Sequence, residues 1–218
     1  MHVADGKIPA DYLGYVRIKY LWIVFGIILL FFLFIISISV GAVSIPPYDV
    51  LMTLFGQNVN HKYDAIIWNI RLPQALTAIV AGIGLSVAGV AMQSILRNPL
   101  GSPFTLGISN AGAFGAAVSV IIFGTGKIQS TIADPITINN PYITTISAFI
   151  FCMIATAVIL MISRIRGASP EVMVLTGVAL SSLFTAGTMF VQYFASDTQL
   201  AAVVFWTFGD VSRASWSE

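Results

Sequence analysis

Five stretches of the chain run for twenty residues or more without Asp, Glu, Lys or Arg: Leu21–Val43, Leu72–Leu96, Phe104–Phe123, Tyr142–Ile162 and Val172–Ala195. A helix needs about 20 apolar residues to cross the hydrocarbon core, and a charge at mid-span costs roughly 2.5–3.5 kcal/mol on insertion scales. The pattern therefore predicts five transmembrane helices. None of the runs alternates with the two-residue period that a barrel strand requires. The first run is 23 residues long, against a signal-peptide core of about 7–15, so it is read as a retained span. The expected organisation is an N-terminal segment over 1–20, a five-span domain over 21–195 and an outer segment over 196–218. The expected fold class is an all-α polytopic membrane helix bundle.

The polar stretches between the runs carry their own signals. Ser44–Arg71 holds Pro46-Pro47, then Val50, Leu51, Leu54 and Phe55 at helical spacing, which predicts a short amphipathic helix at the interface. Pro73 fits the first turn of the second span, where a missing N–H costs nothing. In Arg97–Pro103 a cation sits at a helix C-terminus, Asn98-Pro99 stops the helix, and Ser102-Pro103 reads as N-cap and first residue of the third span. Gly124–Pro141 is read as a polar loop. With the N-terminus inside, the inner side holds Lys7, Arg17, Lys19, Arg97, Arg164 and Arg166, and the outer side Lys62, Arg71, Lys127 and Arg213. The excess of inner cations favours a cytoplasmic N-terminus in the cell membrane.

Composition narrows the chemistry. The chain is 57% hydrophobic and 9% charged, where soluble domains carry about 25% charge, so its surface faces lipid. A net charge of +1 gives nucleic acid no purchase. Cys152 is the single cysteine, and His2 and His61 stand far apart, so no metal cluster, disulfide or bound cofactor is expected. No span contains a pair of carboxylates, which leaves a proton relay unsupported. Small residues concentrate instead. Gly82, Gly84, Ser86, Ala88, Gly89 and Ala91 lie in the second run, and Gly107, Ala111, Gly115 and Ser119 recur every four residues in the third. Such stripes let helix backbones approach closely in lipid. The polar residues within spans are Gln93, Ser109, Asn110, Thr176, Ser181, Ser182 and Gln192, read mainly as interhelical hydrogen-bonding groups.

Several of these segments, taken in order, resemble one family. Arg71-Leu72-Pro73 is followed by the small-residue run ending Met92-Gln93-Ser94-Ile95-Leu96-Arg97-Asn98-Pro99-Leu100, then by Leu106-Gly107-Ile108-Ser109-Asn110-Ala111-Gly112-Ala113. Val174–Leu180 and Phe205-Trp206-Thr207-Phe208-Gly209 follow at matching spacing. The chain from about Ile45 to Glu218 thereby resembles the iron-siderophore, haem and vitamin B12 permeases of ABC importers, the FecCD type. The resemblance implies the first inverted repeat of a ten-helix subunit that pairs with a second copy and hydrolyses nothing itself. It implies cytoplasmic ATPase subunits that use ATP, and an extracytoplasmic chelate-binding protein.

The resemblance also places functional residues. Arg71 would dock the binding protein. Asn98, Pro99, Leu100, Ser169 and Pro170 would form the inner gate. Gly82, Gly84, Gly89, Gly107, Ser109, Asn110, Gly112 and Gly177 would serve helix packing and the pathway. The sequence departs from the family pattern at Gln74, where a second Arg is common, and at Glu171, an acid near the gate that suits a helix first turn. It also ends after five spans, which keeps a truncated permease, or a five-span scaffold or sensor, as the alternative reading.

Overall fold

The computed structural model describes residues 10–57, 60–127, 137–138, 141–167 and 169–216. The expected N-terminal segment up to residue 9 and most of the expected loop Gly124–Pro141 lie outside the described residues. Helices α1 (Ala10–Ser39), α2 (Pro47–Leu54) and α3 (His61–Ile66) come first, followed by a π-helical turn, Ile67–Arg71, that runs straight into α4 (Leu72–Leu96). Then come α5 (Ile108–Ile121), α6 (Pro141–Arg166), α7 (Pro170–Tyr193) and α8 (Asp197–Phe208). Between α5 and α6 two short strands, β1 (Gly126–Lys127) and β2 (Thr137–Ile138), pair antiparallel.

Four helical stretches are long and apolar enough to cross a membrane: Tyr12–Ser39, His61–Leu96, Tyr142–Arg166 and Pro170–Tyr193. The chain is a multi-pass membrane protein. The third expected span differs from its prediction. Its helix α5 has 14 residues, about 21 Å of rise, and begins at Ile108 rather than at Pro103. Ser102 and Thr105 instead close a turn, with the Thr105 hydroxyl donating to the Ser102 carbonyl at 2.6 Å. Gly107 then takes a left-handed conformation, φ +67°, before the helix starts.

The prediction for Pro73 also needs correction. The helix begins upstream at His61, so Pro73 lies inside it. Proline removes one N–H and its ring presses on the preceding turn. The π turn widens the ladder at that point, with the Leu72 N–H bonding to the Ile67 carbonyl.

The residues fall into two compact units. The first comprises the chain up to Val80 together with the segment from Val211 onward. Its core is Ile35, Ile38, Ile45, Val50, Ile67, Leu72 and Ala75. The expected amphipathic helix is present as α2, which buries Val50 and Thr53 and leaves Phe55 beyond its end exposed.

In the second unit, Ala81–Asp210, α5 packs between α6 and α7. Phe114, Phe151 and Phe184 meet edge to face or tilted beside Ala111 and Ala155. Helix α8 caps the far end of α5. Ala202 and Val203 pack on Ala117 and Val120, and the Gln199 amide donates to the Val120 and Ile121 carbonyls at 3.4 and 3.3 Å.

Candidate functional site

The Asn98–Leu100 turn exists because α4 is stopped there. Leu96 is its last residue and Arg97 adopts φ +47°, a left-handed conformation rare outside glycine. Local bonds then stiffen the turn. The Gln93 amide donates to the Pro99 carbonyl at 2.8 Å, and Asn98 Oδ1 accepts the Leu100 N–H at 2.9 Å. Gly101 has room for no more than a tight fit, since a Cβ there would lie 3.1 Å from Leu96 Cδ1 and 3.2 Å from the Asn98 carbonyl.

The second connection is built as a helix start. Ser169 is the N-cap of α7, its Oγ accepting the Val172 N–H at 3.4 Å, and Pro170 follows at the first helical position. The two connections open on one cavity of about 550 Å³. Leu96 and Asn98 line it from one side, and Pro170, Glu171, Val174 and Val178 from the other. Leu100, at the tip of the first connection, is largely exposed. Glu171 contributes the charge at this mouth, in the first turn of α7, where the helix dipole favours an acid.

Next to the cavity the backbones of α7 and of the turn before α5 approach closely. A Cβ on Gly177 would sit 2.6 Å from Leu106 Cα, and one on Gly107 would sit 2.7 Å from the Gly177 carbonyl oxygen. One turn further, Asn110 reaches from α5 to α7, its amide donating to Ser181 Oγ and, at 3.2 Å, to Thr185 Oγ1. Gly112 faces Cys152 of α6, whose Sγ would lie 3.1 Å from an added Cβ. Ser109 is partly buried on the same helix. Gly82, Gly84 and Gly89 behave differently: a Cβ on any of them would meet nothing within 4 Å. Among the described residues they make no close packing contact.

Arg71 is turned inward. It is 9% exposed, and its guanidinium donates to the carbonyls of Ile38, Ser39 (3.0 Å) and Val43. These are acceptors at and just beyond the end of α1, left without intrahelical donors. Gly41 makes room for it, since a Cβ there would lie 2.7 Å from Arg71 Nη2. In this chain Arg71, the residue expected to dock the binding protein, caps a helix end, since five N–H donors in a fixed fork suit a cluster of carbonyls.

Two features escaped the sequence reading. Ser119, Thr125 and Thr144 form a buried hydroxyl triangle with sides of 3.1, 3.1 and 3.2 Å. Nothing in their spacing announces it. Helix α8, by contrast, has a legible signal: Ser196 and Gln199 form a capping box, the S-x-x-Q pattern that marks a helix start. Among the described residues, no three His, Cys, Asp or Glu side chains lie close enough to hold a metal ion.

The helical bundle, its apolar spans and its paired connections define a polytopic membrane protein of the transport-permease class. Residues 29–218 match the FecCD transport family, and the chain belongs to it. It is 51% identical over 214 residues to MJ0087 of Methanocaldococcus jannaschii, described as an ABC transporter permease protein, covering 97% of this chain and 60% of that one. It is 32% identical to the Fe(3+)-citrate import system permease protein YfmE of Bacillus subtilis, covering 88% and 53%. A solved structure of an inward-facing metal-chelate type ABC transporter matches with a TM-score of 0.70 at 28% identity, covering 89% of this chain and 55% of that chain. The chain spans between about half and three fifths of the length of these relatives.

Proposed function

We propose that the chain supplies half of the translocation pathway of an ABC importer for iron chelates, such as siderophores or haem, or for a related metal chelate such as vitamin B12. In this reading the chain itself hydrolyses nothing and holds no cofactor. Cytoplasmic ATPase subunits use the ATP, a chelate-binding protein delivers cargo from outside, and a second permease copy completes the pathway. The N-terminus is cytoplasmic. The observation that carries the proposal is the cavity at which Asn98 and Pro170 meet, in a chain whose relatives are named as import permeases. Each connection is stiffened by proline, which limits backbone freedom, and by local hydrogen bonds, so each moves as a unit. Asn98, Pro99, Leu100, Ser169 and Pro170 are assigned to the inner gate, with Glu171 favouring the first turn of α7.

The test is reconstitution. Proteoliposomes holding this chain with its partner ATPase, its binding protein and any further permease segment should take up a ferric chelate when ATP is supplied. They should stop when this chain is left out. Uptake that persists without the chain would refute the reading.

A further inference from the structure

Helix α1 is longer than a membrane needs. Its 30 residues rise about 45 Å, against a hydrocarbon core of about 30 Å. Its C-terminal end is fixed in the core of the first unit, where Ile35 and Ile38 are buried. Counted back from Ser39, about 30 Å of helix ends near Tyr20, so the residues before it reach the headgroup layer. The composition changes there. Between Asp11 and Asp49 the charged residues are Arg17 and Lys19 alone, and Tyr12, Tyr15, Tyr20 and Trp22 surround them. Tyr12, Tyr15, Lys19 and Trp22 follow one another at helical spacing, which sets them on one face of α1. All four are exposed.

These side chains are arranged for a lipid surface. Lys19 Nζ lies 4.3 Å from the centre of the Tyr15 ring, one turn toward the N-terminus. The ring attracts the ammonium and holds it pointing away from the hydrocarbon core, the direction a snorkelling lysine takes. Trp22 lies one turn deeper and meets Phe25 edge to face, with centroids 5.9 Å apart, at the depth where Trp and Tyr rings anchor a span. Arg17 is also exposed, and two residues turn a helix by about 200°, so a cation stands on each side of α1.

We propose that residues 12–22 form a docking site for anionic phospholipid, with Lys19 and Arg17 on headgroup phosphates and Trp22 at the acyl boundary below them. Charge complementarity selects this occupant. Two cations with no acid between Asp11 and Asp49 meet no net negative charge on a zwitterionic lipid, whereas each cation near an anionic surface contributes about fivefold in affinity. The inference rests on α1 being a membrane span and does not depend on the transport reading.

The test uses the full chain in nanodiscs of equal phosphatidylglycerol and phosphatidylcholine. A photo-crosslinking amino acid replaces Ile23, an exposed residue one turn below Lys19, and mass spectrometry reads which lipid is captured. Phosphatidylglycerol should be captured several-fold more often. The same probe at Phe32, exposed in mid-span, should capture the two lipids about equally. Lys19→Gln combined with Arg17→Gln should bring position 23 down to the ratio at position 32, and Lys19→Arg should keep the enrichment. Should the double variant fail to insert, high salt on the unaltered helix screens the same attraction and should give the same fall. Equal capture of the two lipids at position 23 would overturn the proposal. So would an enrichment that survives the double substitution or high salt, or one that is as large at position 32.

Discussion

Glycine means different things in α4 and at the α5–α7 contact. Both regions are rich in small residues, and both obey the rule that small side chains allow close helix approach. At the α5–α7 contact the rule is used: Gly107 and Gly177 bring two backbones so close that a single Cβ would strike the facing chain. Along the middle of α4 it is not used among the described residues, since a Cβ on Gly82, Gly84 or Gly89 would meet nothing within 4 Å. The contacts of the long helix His61–Leu96 concentrate at its ends, at Ile67–Ala75 in one core and Leu96 in another. A stripe of small residues therefore tells where a helix can approach another. The Cβ distances tell where it does.

The largest break in this comparison should come from Gly177→Val. With Leu106 Cα 2.6 Å from the new Cβ, backbone must move. Overpacking of this kind costs typically 1–3 kcal/mol and occasionally more, and the upper part of that range is expected, read as a fall in unfolding midpoint in micelles. Arg71→Leu should follow, at about 1–3 kcal/mol, because it strips donors from the carbonyls beyond α1. Hydrogen exchange near Ser39–Val43 should rise at the same time. Gly84→Ala should go the other way: it fills open space and improves helix propensity by up to about 1 kcal/mol, so the same assay should show equal or greater stability. Asn110→Ala should be the mildest loss, about 0.6 kcal/mol on the average for interhelical bonds in membranes. If Gly84→Ala proves as damaging as Gly177→Val in the isolated chain, the contrast between the two regions is lost.

Much of the fold was legible in hydrophobic runs. The first, second, fourth and fifth runs all lie on membrane-length helices, because length and the absence of charge suffice to mark them. Boundaries were less legible. Arg17 and Lys19 lie within α1, since a helix continues into the interface where charged side chains reach water. The short α5 was overestimated because Phe104–Gly107 is uncharged yet turned, and the left-handed Gly107 that ends the turn leaves no mark on hydropathy. At the candidate site, the proline-bearing connections were readable from their turn chemistry, and their sharing of one cavity follows from the way α4 ends beside the start of α7. The inward turn of Arg71 was not readable. Its acceptors lie 28–33 residues away, on carbonyls that any sequence would provide.

The central claim is that the connections around Asn98–Leu100 and Ser169–Pro170 form the inner gate of an import pathway. The direct measurement is a cysteine pair, Leu100→Cys with Ser169→Cys, in a Cys152→Ala background within the assembled transporter. The account predicts that crosslinking in the nucleotide-free state abolishes chelate uptake and that reduction restores it. A crosslink that forms fully while uptake continues at its normal rate would show that these turns are only structural and would contradict the account.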